Sequence, residues 1–323
     1  MNNENSKWAK PNLFKYYLNN YGGITAVLLI MVVATSIMQP AFLRTANLLG
    51  ILANANDVFL VAFGMTFVIL SGGIDLSQGS LAAMSGMLMA MLLAAGIHFI
   101  PAIIITVIVG AICGILNGVI ISRANVPPFV VTLGTMGIFR GLAMTMNSGY
   151  AQHIDMENPF IAFANGRLFG IPNVLFYVAV AFLICHFILH KTNSGRNVYA
   201  IGGNKEAAKL AGISVVKTSM FTYAVCSALV AFAGLILAGR MFSGLPSASV
   251  GLETRAVAAV ILGGTSFTGG DGKIFGTIIG VLILSVLINA MVLFGLGPQI
   301  QQIVQGVIII VAVVYDGLRR KSA

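Results

Sequence analysis

Long stretches of this sequence contain no Asp, Glu, Lys or Arg, and this spacing of charge constrains the fold more than any other feature. A charged side chain at the centre of a bilayer costs several kcal/mol, and a helical span needs about 20 residues. The chain is 58% hydrophobic and only 8% charged, whereas soluble domains carry about a quarter charged residues. We therefore predict an all-α polytopic membrane protein and exclude a soluble fold.

The charge-free intervals predict about ten transmembrane helices. Two spans fit between Asp75 and Arg123, two fit between Lys273 and Asp316, and most other intervals hold one span each. The eighth segment, 255–271, is short and fits either a tilted span or a re-entrant segment.

Basic residues in the loops predict the orientation. Cytoplasmic loops retain Lys and Arg, and an even number of spans places both terminal basic clusters on one face. We therefore expect both termini in the cytoplasm. The predicted parts are an N-terminal cytoplasmic segment, one transmembrane domain that includes a polar loop, and a cytoplasmic tail: 1–21, 22–316 with the loop at 191–217, and 317–323.

The formal net charge of +9 does not indicate a nucleic-acid partner. The basic residues are scattered between apolar runs and form no stripe interleaved with aromatic residues. The three cysteines lie far apart inside apolar runs, so neither a disulfide framework nor a metal site is predicted. No phosphate-binding loop is recognised, because Gly272-Lys273 is followed by Ile274. We expect no cofactor in this chain.

Glycines repeat at four-residue spacing in three of the apolar runs, and small residues let helices approach closely in lipid. These glycines are Gly110, Gly114 and Gly118, then Gly137 and Gly141, then Gly276 and Gly280. A second internal pattern is the similarity of VILSGG at 68–73 to VILGG at 260–264. Duplicated halves are common in transporters, but chance agreement explains so short a match equally well, and we draw no topology from it.

The polar loop at 191–217 has the pattern of a short capped helix. Asn204 is a favourable N-cap, Glu206 lies in the predicted first turn, and Gly212 can end the helix in a left-handed conformation. A short helix held at the membrane face can press into a groove on a partner protein. An ordinary polar connection is the alternative.

Part of this loop resembles a known docking element. Glu206-Ala207-Ala208 followed by Gly212 is similar to the EAA loop of ABC-importer permeases, the coupling helix that docks on the ATPase subunit. The loop is abbreviated here and lacks the proline that closes it in other importer permeases. The resemblance implies that these residues, with Asn204, couple the chain to an ATPase.

Longer motifs resemble ribose-type monosaccharide permeases of bacterial ABC importers. The sequence SGGIDLSQGS at 71–80 is similar to the most recognisable segment of that family, and 199–204 and 260–272 are similar to it as well. The resemblance implies a non-enzymatic permease of the bacterial inner membrane. Its implied partners are an ATPase subunit that holds ATP and magnesium, a periplasmic sugar-binding protein and a second copy of the permease.

A neutral sugar needs hydrogen-bond donors and acceptors along its path, with little fixed charge. The candidates inside the predicted spans are Asn117, Thr132, Arg140, Asn147 and Asn289. A hydrogen bond between helices is the alternative role for each. Arg140 is the most informative of them, because an arginine inside a membrane is expensive.

Three arginines near span ends are candidates for docking the binding protein on the outer face. Arg44, Arg167 and Arg240 would pair with acidic groups on its two lobes and steer its approach. Anchoring at the membrane interface is the alternative.

Other functions remain open at this stage. An ion-coupled secondary sugar carrier would use Asp57, Asp75 and Arg140 as a proton relay, although Asp75 also suits capping of the Gly79 or Ser80 amide. A channel or membrane scaffold is a third hypothesis. Within the permease class ribose is the expected sugar, and other pentoses, hexoses or sugar-like signals such as autoinducer-2 are the alternatives.

Overall fold

A computed structural model describes the backbone of residues 13–321 and the side chains of residues 21–311, 313 and 314. The predicted terminal segments 1–21 and 317–323 therefore lie partly outside the described residues, at 1–12 and 322–323. The helices of the described part are α1 (Leu13–Met38), α2 (Thr45–Asn54), α3 (Asn56–Leu70), α4 (Gln78–Ala94), α5 (Phe99–Arg123), α6 (Pro128–Thr145), α7 (Pro159–Asn165), α8 (Asn173–Lys191), α9 (Asn193–Gly203), α10 (Lys205–Leu210), α11 (Val215–Arg240), α12 (Leu252–Leu262), α13 (Ile274–Leu293) and α14 (Pro298–Lys321).

Several helices have the length and hydropathy of membrane spans. Within the described residues six qualify, namely α1, α5, α6, α8, α11 and α13, and α2 with α3 forms a seventh if the two are counted together across their 42° bend. The outward faces of α5, α6 and α8 expose leucine, isoleucine, valine and phenylalanine side chains, as helices in lipid do. The predicted class, an all-α polytopic membrane protein, is confirmed, whereas the count of ten spans stays a prediction.

The bundle has two ends that are built differently. One end carries α9, α10 and two glycine-rich loops, 71–77 and 263–273, and we call it the α10 end. The other, the hairpin end, carries two small antiparallel pairs: β1 (Gln152–His153) with β4 (Ser243–Gly244), and β2 (Arg167–Leu168) with β3 (Ile171–Pro172). The polar connections at the two ends, which are candidates for contact with other proteins, thus lie a full helix length apart.

Helix α3 forms the centre of the bundle. It is apolar on every side and nearly all of its residues are buried, because α8, α11, α12 and α13 pack around it. A helix that is hydrophobic all round is stable only when other helices enclose it. Its one polar link to α13 is a hydrogen bond of 2.8 Å between the hydroxyls of Thr66 and Thr277, among the described residues.

The four-residue glycine spacing marks the closest helix contacts. A Cβ on Gly114 of α5 would overlap the carbonyl oxygen of Tyr223 on α11, and a Cβ on Gly280 of α13 would overlap that of Ala259 on α12. Two of the three glycine repeats therefore allow backbones to touch, as expected for helices in lipid. The third repeat, on α6, faces open space.

The internal similarity corresponds to two equivalent helix ends. A left-handed glycine terminates each helix two residues after its last helical residue: Gly72 with φ 78° after α3, and Gly264 with φ 85° after α12. In each case the left-handed glycine donates to the carbonyl three residues earlier, and the following residue donates to the carbonyl five residues earlier, which is the Schellman motif. The two helices pack side by side, and the loop after α12 is joined to the last residue of α3, because the Gly270 amide donates to Leu70 O at 3.0 Å.

Gly202 of α9 lies against both of these loops, which predicts a sharp effect of adding one methyl group. A Cβ on Gly202 would overlap the carbonyl of Leu70 and lie 2.6 Å from the amide nitrogen of Gly270. We expect Gly202→Ala to destabilise the protein by about 1–3 kcal/mol, the usual cost of overpacking, measured as a lower thermal midpoint in detergent.

Gly203→Ala is the matched control for this prediction. A Cβ on Gly203 would meet nothing within 4 Å, so its midpoint should equal that of the wild type. Equal midpoints for both variants would show that α9 does not pack against the loops as described.

Candidate functional site

The polar loop at 191–217 folds into two helices, α9 and α10, of which the sequence predicted the second. Asn204 lies between them in an extended conformation, and its Oδ1 accepts a hydrogen bond from the Ala207 amide at 2.9 Å. At the other end Gly212 has φ 81°, and the Ile213 amide donates to Ala208 O at 3.0 Å. The predicted capped helix is therefore present, with Asn204 as its N-cap and Gly212 as its left-handed terminator.

Helix α10 presents most of its surface to the exterior. Ala208 is buried and anchors the helix, while Glu206 and Ala207 are exposed. Glu206 forms an exposed ion pair with Lys209 at 3.1 Å, and such pairs contribute little to stability. Leu210 is 91% exposed, an apolar side chain that the sequence analysis did not single out. A capped, protruding helix with an exposed leucine is suited to insertion into a groove.

Helix α9 connects α10 to the two glycine-rich loops. The Tyr199 hydroxyl donates to the carbonyl of Gly272 at 2.9 Å. Burial, followed by the nearby charge of Asp271, raises the pKa of Tyr199 to about 12, so the hydroxyl keeps its proton at neutral pH. Together with the Gly202 contacts, this bond ties α9 to the ends of both α3 and α12.

Two predicted path residues, Asn117 and Thr132, are fully buried beside the loop at 71–77. Asn117 Nδ2 donates to Ser77 Oγ at 3.4 Å, and Thr132 Oγ1 donates to the carbonyl of Pro128 at 3.0 Å. Asp75 Oδ1 in this loop accepts from the Ser77 amide at 2.9 Å and from its hydroxyl at 2.6 Å. The expectation that Asp75 caps Gly79 or Ser80 is thus wrong, because the loop turns at least two residues earlier and brings Ser77 to the carboxylate.

Arg140 binds the segment that leads into α12. Its guanidinium donates to the carbonyls of Pro246 and Ala248, the latter at 2.9 Å. Partly buried in α6, Arg140 thereby satisfies its donors with backbone oxygens rather than with a carboxylate. The cost of an arginine inside a span marked Arg140 as informative, but no sequence motif indicated this partner.

Asn289 lies near the hairpin end of α13. Its side chain exchanges two hydrogen bonds with Asn47, of 2.9 and 3.1 Å. It also lines a cavity of about 270 Å³, next to a second cavity of about 380 Å³. Arg255 and Ile288 line both cavities. Asn147, the remaining candidate, donates to the carbonyl of Ala151 at 3.1 Å outside these cavities.

The three predicted docking arginines occupy different settings. Arg44 and Arg167 are exposed, and Arg167 begins the β2–β3 hairpin. Arg240 instead donates to Ala53 O at 2.7 Å and to Asn54 Oδ1 at 2.8 Å, so it ties α11 to α2. At the turn of the hairpin Phe169 is 91% exposed, and the sequence analysis missed it because a single phenylalanine gives no pattern.

The geometry is that of a membrane transport component, with a bundle of apolar helices, polar cavities inside it and a protruding capped helix at one end. Residues 47–313 match the family described as the permease component of branched-chain amino acid transport systems. The ribose import permease protein RbsC of Bacillus subtilis (strain 168) is 43% identical over 92% of this chain and 92% of that protein.

Two further relatives come from Escherichia coli (strain K12). Its ribose import permease protein RbsC is 38% identical over 91% of this chain and 92% of that protein. Its D-allose transport system permease protein AlsC is 35% identical over 97% of this chain and 96% of that protein. No solved structure matches the chain.

The chain therefore belongs to this family of permease components. The resemblance to ribose-type permeases of ABC importers is confirmed, and with it the assignment to the bacterial inner membrane as a multi-pass protein. The family consists of permease subunits of ABC transporters, whose members work with an ATPase and a periplasmic binding protein.

Removal of the Tyr199 hydroxyl tests the connection between α9 and the loop at 263–273. Tyr199→Phe leaves the carbonyl of Gly272 without its donor, and we expect a loss of about 1 kcal/mol in stability. A tyrosine whose pKa is raised on folding stabilises the folded state fully at every pH below its unfolded pKa, which is near 10. The stability difference between Tyr199→Phe and the wild type should therefore be constant between about pH 6 and 9.

Thermal midpoints of the purified protein across this pH range measure the effect. Tyr150→Phe is the control, because Tyr150 is 75% exposed at the hairpin end and its hydroxyl should not matter. A difference between Tyr199→Phe and wild type that changes across the range would contradict the assignment of a neutral donor.

Proposed function

We propose that this chain is the membrane-spanning subunit of an ATP-driven monosaccharide importer, with ribose as the first expected sugar. It receives the sugar from a periplasmic binding protein and passes it to the cytoplasm, while a separate ATPase subunit binds and hydrolyses ATP with magnesium. The similarity to ribose and D-allose permeases supports the substrate class. The observation that carries the mechanism is the capped α10, held through α9 against the ends of α3 and α12.

Coupling to the ATPase is assigned to α10. Asn204 and Gly212 fix the two ends of the helix, Ala208 anchors it, and Glu206 and Ala207 form the exposed contact surface. Because the caps hold α10 rigid and the Gly202 and Tyr199 contacts tie α9 to the loops, closure of the ATPase would displace α9 as a lever. The ends of α3 and α12 would move with it.

Ten crossings account for the helix order best. Six helices have the length and hydropathy of spans, and the α2–α3 pair is a seventh. The remaining three crossings are then α4, α12 and α14, of which α12 is much the shortest. The α10 end carries most of the basic residues in loops, among them Arg123, Lys191, Lys205 and Lys217. Cytoplasmic loops are enriched in such residues, so we place the α10 end and both termini in the cytoplasm, and the hairpin end in the periplasm.

A second copy of the chain is the expected membrane partner. The glycines Gly134, Gly137 and Gly141 on α6 are exposed, and a Cβ on any of them would meet nothing within 4 Å. Small residues of this spacing on a lipid-exposed face are typical of helix pairing in membranes. The homodimer interface is therefore proposed to include α6.

An ion-coupled carrier is the alternative, and the hydrogen bonds of its proposed relay groups do not favour it. Asp57 lies in the first turn of α3, and Asp75 lies in the loop after α3. Asp57 Oδ1 accepts from the Val58 amide, Asp75 accepts from Ser77, and Arg140 donates to carbonyls. Among the described residues, none of these three groups forms a hydrogen bond or an ion pair with another of them.

Uptake by reconstituted proteoliposomes distinguishes the two mechanisms. With the ATPase and the ribose-binding protein present, we expect ribose uptake that requires ATP and persists after the membrane potential and proton gradient are collapsed. Uptake that continues without the ATPase and stops with the gradients would establish the carrier and refute the importer.

Two equally exposed apolar residues at opposite ends test the partner assignments. Leu210→Asp places a charge on α10 and should abolish co-purification with the ATPase, because a desolvated apolar anchor would become a buried charge. Phe169→Asp should leave the ATPase bound and weaken docking of the binding protein at least about tenfold.

Each variant is the control for the other, since both residues are 91% exposed and neither supports the core. Pull-down of both partners by purified permease measures the result. If Leu210→Asp lost the binding protein and kept the ATPase, the membrane orientation proposed here would be inverted.

A further inference from the structure

Helix α14 is amphipathic, and its apolar face is the outward one, the reverse of a surface helix in a soluble protein. Its lipid side exposes Ile303, Val307 and Ile310, each more than half exposed. Gln301, Gln302 and Gln305 lie on the other side of the helix, whereas Gln299, in its first turn, lies nearer the side of Ile303. Polar side chains in a membrane segment are costly in contact with lipid, and they face the protein interior or a hydrated cavity. The glutamines indicate that α14 closes one side of such a cavity.

The cavity is present beside this face. Gln299, Gln302 and Gln305 line the space of about 380 Å³, which adjoins the space of about 270 Å³ lined by Asn289. Arg255 lies in the wall of both. We call this combined space the glutamine cleft. It lies in the half of the bundle nearer the hairpin end, since Gln305 is only seven residues below the start of α14, about 10 Å along the helix.

The cleft exists because α12 is short. Helix α12 has 11 residues, or roughly 16 Å, whereas the hydrocarbon core is about 30 Å thick. The segment before α12 descends into the bundle, and a Cβ on Gly79 near the start of α4 would overlap the carbonyl of Ser249. The N-terminus of α12 thus lies inside the membrane region and points toward the cleft. Interrupted helices with termini near the midplane form the substrate sites of many transporters.

Several polar groups of the cleft have no partner among the described residues. Among the residues that the structure describes, no hydrogen bond or ion pair reaches the side chains of Arg255, Gln299, Gln302 or Gln305. An arginine inside a bundle that pairs with no carboxylate is expensive unless water or a ligand satisfies it. This distinguishes Arg255 from Arg140, whose donors are occupied by carbonyls.

We infer that the glutamine cleft is a binding site for the monosaccharide on its way through the permease, an inference that rests on the proposed function. Each amide offers donors and an acceptor, which suits hydroxyl groups that both donate and accept. The guanidinium of Arg255 supplies a fork of donors for adjacent hydroxyl oxygens. Ile288 and Val58 supply apolar contact for the C–H groups of the ring.

The lining also selects against amino acids, the cargo in the family's description. No Asp or Glu is among the described residues that line either cavity, so the ammonium group of a zwitterion would be buried without a counter-charge. Leaving a charge unpaired in this way is strongly unfavourable. A neutral polyhydroxylated ligand carries no such cost.

Protection of introduced thiols tests the site in the assembled transporter. Gln302→Cys and Gln305→Cys are made separately in a Cys113→Ala background, and a soluble maleimide is applied to the complex in proteoliposomes. Saturating ribose should slow modification of both thiols severalfold, and leucine at the same concentration should not. Val307→Cys, on the lipid side of the same helix, is the control and should show no effect of ribose.

A transport measurement separates this inference from the proposed function. Gln302→Leu combined with Gln305→Leu should lower the ratio of ribose transported to ATP hydrolysed about tenfold, the effect of losing two neutral hydrogen bonds. ATPase stimulation by the loaded binding protein should persist, and Val307→Leu should behave as wild type. If the wild type takes up ribose, but ribose does not protect the thiols and the double variant keeps the wild-type ratio of ribose transported to ATP hydrolysed, the binding site in the cleft is refuted and the proposed function stands. If the wild-type complex transports no monosaccharide, both are refuted.

Discussion

The contact of Gly202 with the two glycine-rich loops is the constraint on which the rest of the structure depends. Backbone can approach backbone here because the position has no Cβ, and the approach brings the ends of α3 and α12 to one point under α9. Without it, α9 would keep the Tyr199 bond to the loop at 263–273 but would lose its close contact with the end of α3, so a force applied to α10 would reach α3 less directly. With it, the polar loop and the buried centre of the bundle form one packed unit.

Inside the bundle, polar groups serve mainly to fix irregular backbone. Asp75 holds the loop at 71–77 through Ser77, and Arg140 holds the segment before α12 through two carbonyls. Non-helical backbone is tolerated at membrane depth only where its polar groups are satisfied within the protein. Both residues lie beside the interruptions that give α3 and α12 their limited lengths. The costly residues of this sequence are therefore found where the chain departs from a continuous helix.

The sequence predicted the features that depend on local rules. Charge-free intervals located the apolar helices, and the caps Asn204 and Gly212 located α10, because capping is decided by a few neighbouring residues. The partner of Arg140 was not predictable, since it lies more than a hundred residues away on a segment without a motif. The glutamines of α14 were overlooked for a different reason. Charge marked the boundaries of the spans, and glutamine is uncharged, so a polar face inside a span left no trace in that pattern.

Helix α12 links the two regions to which function is assigned. Its C-terminal end meets α9 through the loop at 263–273, and its N-terminal end faces the glutamine cleft. A helix of 11 residues is too short to bend appreciably, so a displacement at one end becomes a displacement at the other. Under the proposed function, the push of an ATPase on α10 would move Arg255 relative to the glutamines of α14. A site formed between α12 and α14 would then hold a sugar in one position of α12 and release it in another.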